Sequence, residues 1–194
     1  MDIEVTLDQI AYRVPEGHKI RVSISNCYWP LLWPTPDKDT LTLVQGKFDL
    51  PISSHGDLDE RKFQPAVVGE PWKIKSLREG CNQRNVKRDL KSGIVTTEII
   101  DDFGKRMDQE HGLITGSTAR EWWSIHPDDP LSAHGRTHWT EEIERADWSV
   151  RTETYAEMWS DYETFYLKAS LMAFHNGDLV FEKEFNEEIQ RLKH

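Results

Sequence analysis

The segment IHPDDPLSAHGRTHW, Ile125 to Trp139, gathers three imidazoles and two carboxylates: His126, Asp128, Asp129, His134 and His138. Side chains of these types bind zinc when three or four of them converge at about 2.0–2.2 Å from one ion. Along a strand, His134, Arg136 and His138 share one face, but adjacent same-face positions stand roughly 7 Å apart. His126, His134 and His138 are therefore the metal candidates, and they are set below a structural reading. In that reading Asp-Asp-Pro forms a turn whose aspartates accept backbone amides. The expectation is no metal and no cofactor.

Nucleophilic catalysis needs an activated serine or cysteine. The chain contains no G-x-S-x-G elbow. Its glycine–serine neighbours, Gly116-Ser117 and Ser92-Gly93, open a strand and sit in a turn. Cys27 and Cys81 lack the C-x-x-C metal spacing and read as free thiols, with a bridge between them as the alternative. No catalytic residue emerges.

Charge narrows the partners. Twenty-four basic against 34 acidic residues give −10, which opposes binding to a phosphate backbone. The basic cluster Arg84, Lys87 and Arg88 reads as a solvated face. No run of about 18 apolar residues is present to span a membrane. MDIEVTLDQI lacks the basic start and apolar core of a secretion signal, so the chain as given is expected in the cytoplasm. A single domain of this length buries roughly 70% of its unfolded surface.

The elements that must position these groups are strands. Period-two alternation marks 3–7, 19–25, 40–44, 94–100, 118–126, 149–155, 164–174 and 179–185. Asn176-Gly177 between two such runs predicts a tight hairpin. The fold class is all-β, mostly antiparallel, with jelly-roll or sandwich-like sheets and little helix, the helical candidates being 55–63 and 186–194. A polar, proline-containing stretch suggests a division into residues 1–58 and 59–194. The first piece has too few strands to close a sandwich, so its apolar faces need a cover from the second piece, another chain or a second copy. Of the eight tryptophans, Trp122, Trp123, Trp139, Trp148 and Trp159 are expected in the core. Tyr28, Trp29 and Trp33 lie in a YWPLLWP loop that serves either packing or recognition of a ligand such as a sugar.

The run IAYRVPEGHKIRVSISNCYWPLLWPTPDKDTLTL resembles the C-terminal non-catalytic β-domain of the CocE/NonD serine hydrolases, the cocaine esterase and X-Pro dipeptidyl-peptidase type. Ala11–Arg21 and Tyr28–Pro30 carry the likeness. DDFG (101–104), EHGL (110–113), HPDDPLSA (126–133), DWSVRTET (147–154) and LVFEKEFNEEI (179–189) resemble the extra C-terminal region of a longer subgroup. The resemblance implies a galactose-binding-like jelly roll packed on an α/β-hydrolase domain that carries the catalytic triad. No position here matches a triad residue. The chain is thus expected to be an inactive accessory portion of an acyl hydrolase, entered partway through the jelly roll. Its expected partners are the catalytic domain and, to cover the incomplete sandwich, a second copy. Nucleic acid and membrane are not among them. A stand-alone carbohydrate-binding β-sandwich using Trp29 and Trp33 is the alternative.

Overall fold

The computed structural model describes residues 3–38, 40–52 and 63–192. Among the described residues eight strands form one antiparallel sheet: β1 (Ile74–Arg78), β2 (Cys81–Arg88), β3 (Val95–Asp108), β4 (Ile114–His126), β5 (Asp129–Arg145), β6 (Trp148–Ser160), β7 (Thr164–His175) and β8 (Asp178–Gln190). The order is a meander from β3 to β8, with β1 and β2 sharing the outer edge of β3. The all-β antiparallel class read from the alternation is the observed one, in a sheet of the kind that forms one layer of a sandwich.

Tight turns fix the register. Asn176 and Gly177 adopt φ of 51° and 91°, the paired left-handed geometry of a two-residue hairpin whose twist matches its strands. The β5–β6 turn places Ala146 at φ 53°, a conformation that strains a residue with a Cβ. At the β4–β5 turn Asp129 accepts the Leu131 amide, and the Asp128 amide donates to His126 Nδ1.

Alternation then sorts side chains onto two faces. In-register rows place Trp123, Gly135, Met158 and Leu167 on one side, with Trp139, Thr154 and Leu171 beside them. The other side carries Arg120, Trp122, Arg136, His138, Glu157 and Lys168. On that polar face, where β3 bulges, Arg78 bonds Asp102 and Glu142 at 3.1 Å each, while Lys105 bonds Glu142 at 3.0 Å and also Glu144. Burial pushes the Glu142 carboxyl up, but hydrogen bonds from Lys105 and Arg78 outweigh it and hold it below the usual range.

Four expectations change. Among the described residues no strand precedes Ile74, so the alternating runs 3–7, 19–25 and 40–44 have no ladder. The terminal helix candidate is strand through Gln190, and most of 55–63 lies outside the described residues. None of the five strand tryptophans is buried: Trp122, Trp123 and Trp159 are half-buried, and Trp139 and Trp148 are 41% and 43% exposed, because a single sheet offers no second layer to enclose them. Finally, the chain exposes 16824 Å², whereas a folded monomer of this mass exposes about 9,500 Å². Among the described residues of the sheet, the buried apolar side chains are Ala119 and Ala133.

Candidate functional site

The YWPLLWP loop reaches the apolar face where β4 and β6 end and β7 begins. Leu32 donates its amide to the Tyr28 carbonyl at 2.8 Å, closing one turn, and the Trp29–Pro30 peptide is cis. Trp29 and Trp33 meet edge to face at 5.1 Å. Trp29 then meets Trp123 at 5.9 Å and Trp33 meets Phe165 at 6.2 Å, both again edge to face. Such offset aromatic contacts add about 0.5–1.5 kcal/mol each beyond area burial. A glycine seats Trp123: a Cβ at Gly135 would lie 2.5 Å from the indole Cζ3. Tyr28 remains exposed at 63%.

Arg191, just beyond β8, fastens the loop. Its guanidinium donates to the Pro34 carbonyl at 2.7 Å, to Ser160 Oγ at 2.8 Å and to the Asp161 carbonyl at 3.2 Å. It also lies over the Phe165 ring at 4.4 Å. Ser160, 6% exposed, accepts a second bond from the Trp33 indole N–H at 3.1 Å. Tyr162 donates its hydroxyl to Asp37. Before Ile74, the most covered of the described residues are Trp29, Pro30, Trp33, Pro34 and Pro36, in and just after the docked loop.

A second anchor lies at the opposite end of the sheet. Trp72 donates its indole N–H to Asp108 at 2.6 Å, and Arg106 stacks on the same ring at 4.9 Å. The Trp72 hydrogen bond, with the amides of Glu110 and His111, holds the Asp108 carboxyl below the usual carboxylate range.

The histidines do not converge. His126 sits against Gly93 and takes the Asp128 amide. His134 Nε2 lies 2.7 Å from Glu157. His138 stacks on Tyr155 at 4.1 Å, and its buried Nε2 has no hydrogen-bond partner. Glu153 is 3.6 Å away, too long for a bond, and is held by Arg151 and the Tyr155 hydroxyl. Burial, helped by the nearby Arg120 charge, therefore lowers the His138 pKa and favours neutral imidazole. Among the described residues no group of three or more His, Cys, Asp or Glu could hold a metal ion. Cys27 and Cys81 are both free and exposed. Arg84 and Lys87 on β2 pair with Asp101 and Glu98. No described helix is long and apolar enough to cross a membrane.

Ser160, Phe165 and Arg191, which receive the loop, escaped sequence reasoning. Arg191 falls in a stretch whose charge spacing looks helical, and nothing local marks it as a clamp.

These features define an antiparallel all-β protein whose aromatic loop is docked on one sheet face. Residues 1–74 match the family model of the X-Pro dipeptidyl-peptidase C-terminal non-catalytic domain, 74 of the 194 residues. The match covers the AYR and YWP motifs that carry the resemblance and ends where the sheet begins. No curated protein and no solved structure matches the chain.

Proposed function

We propose that the chain is a non-catalytic accessory module of an acyl-cleaving serine hydrolase of the X-Pro dipeptidyl-peptidase type, buttressing its α/β-hydrolase domain beside the substrate entrance. The observation that carries this reading is the match of residues 1–74 to the non-catalytic domain of that class. The surface supports it. Ile3, Val5, Leu7, Ile20, Val22, Ile24, Leu41 and Leu43 alternate as strand faces do, yet each is more than half exposed. Apolar area of that extent is favourable to cover, at about 25 cal/mol per Å², and large exposed patches mark interaction surfaces. The loop geometry favours packing over sugar display, since the Trp29 and Trp33 rings engage each other, Trp123 and Phe165.

Affinity purification of the tagged chain from its native source, followed by a fluorophosphonate probe, tests the proposal. A labelled serine hydrolase should co-purify with unlabelled chain, and the chain alone should hydrolyse p-nitrophenyl acetate at the buffer rate. Label on the chain itself, or a chain that purifies without any labelled hydrolase, overturns it. Light scattering that gives a stable dimer would replace the hydrolase domain by a second copy as the cover.

A further inference from the structure

The polar face of β4–β8 carries a trough of about 580 Å³, well away from the docked loop on the other side. Ligand pockets commonly span about 300–1,000 Å³. An in-register row crosses it: Trp122, Arg136, Glu157, Lys168 and Asn186. Side chains directly opposite across strands stand about 5 Å apart, so this plus–minus–plus row would ordinarily close into ion pairs. It does not close. Arg136 lies over the Trp122 ring at 5.8 Å and Lys168 over the Trp159 ring at 5.4 Å. Glu157 turns instead to His134 through Oε1. Among the described residues neither cation has a carboxylate within ion-pair distance.

Aromatic and imidazole neighbours thus hold three charged heads apart. The guanidinium N–H groups, the ammonium and Glu157 Oε2 keep hydrogen-bonding capacity that the protein does not fill. The Tyr155 ring, 40% exposed, borders the same space.

We propose that this trough binds a neutral saccharide. Its occupant must offer acceptors to two cations and a donor to the carboxylate between them, along a row only two strand spacings wide, about 10 Å. Vicinal hydroxyl groups accept and donate at once, and the C–H face of a pyranose covers an aromatic ring. A small anion is repelled by Glu157 at the centre of the row, and a small cation by Arg136 and Lys168 on either side. The site belongs to the sheet, so it stands independently of the reading of residues 1–74, and it does not use Trp29 or Trp33.

Saturation-transfer NMR on the full chain with maltotriose, cellotriose and mannotriose at millimolar concentration tests this. At least one should receive saturation, with Arg136→Ala and Tyr155→Ala each weakening binding roughly tenfold or more, a difference of about 1.4 kcal/mol. Trp29→Ala should leave it unchanged. Lys168→Met, a surface change, carries the test if either variant fails to fold. No transfer to any of the three sugars overturns the proposal. So does transfer that survives the trough variants or is lost with Trp29→Ala, or trough binding of inorganic phosphate in their place.

Discussion

Val22 and Trp123 both belong to alternating runs, with different outcomes. Val22, between Ile20 and Ile24, is 54% exposed and lies in no strand. Trp123 is half-buried, seated over Gly135 in a continuous ladder from β3 to β5 and covered by Trp29. Alternation says which side of a strand is apolar. It does not supply the neighbour whose N–H and C=O groups make a strand, nor the layer that covers it. From Ile74 onward each long strand is followed by the next across a short turn, so neighbours are local. Before Ile74 they are not, and the segment keeps to the sheet through Trp29–Trp33, Arg191 and Trp72.

The largest expected effect attacks the joint between these regions. Trp33→Ala removes two aromatic edges and the bond to Ser160, and should weaken loop docking by about 2–3 kcal/mol, below a fully buried tryptophan because this one is half-exposed. Tryptophan emission should shift red while the far-ultraviolet strand signal persists. Loss of both together would mean that the regions are one cooperative unit.

Within the sheet alone, Glu142→Ala leaves Arg78 and Lys105 without their shared carboxylate. It should cost about 2 kcal/mol, less than for a fully buried pair. The same group makes the sheet acid-sensitive. Its folded pKa is depressed, so its contribution is complete above the unfolded value of about 4.3 and is lost as pH falls through the folded value. Urea unfolding at pH 7 and at pH 3 should give a smaller difference in the variant than in the parent. His138 acts in the same direction at higher pH, since its depressed pKa lets the unfolded chain take up the proton first below about 6.5.

The smallest effect is a gain. Ala146→Gly relieves the left-handed turn between β5 and β6 and should stabilise the sheet by about 0.5–1 kcal/mol, read as a higher urea midpoint with loop fluorescence unchanged. A lower midpoint would show that the turn carries no such strain.

Much of the sheet was legible because its signals are local. The runs at 118–126, 149–155, 164–174 and 179–185 fall inside observed strands, 94–100 does so from Val95 onward, and Asn176-Gly177 adopts the expected turn. β2 was invisible: CNQRNVKR is exposed on both faces and forms only because β3 offers a partner. Glu187–Gln190 resembled a helix end, yet stays extended because Thr164–Leu167 hold its ladder. The YWPLLWP loop announced that it must pack somewhere, but its receiving surface is assembled from Trp123, Ser160, Phe165 and Arg191, spread over 69 positions of chain, from 123 to 191. No local pattern encodes that convergence. The separation of Arg136, Glu157 and Lys168 was hidden likewise, because it depends on which rings and imidazole stand beside them.

If the proposed function is right, the sheet forms without help whereas the segment before it needs a cover. Amide hydrogen exchange on the isolated chain tests this most directly. Amides of β3 to β7 should be protected by orders of magnitude, while 19–25 and 40–44 exchange near intrinsic rates, with Leu32 as a protected exception inside the docked loop. Protection in 19–25 and 40–44 equal to that of the central strands would contradict it, since those runs would then already have their partners.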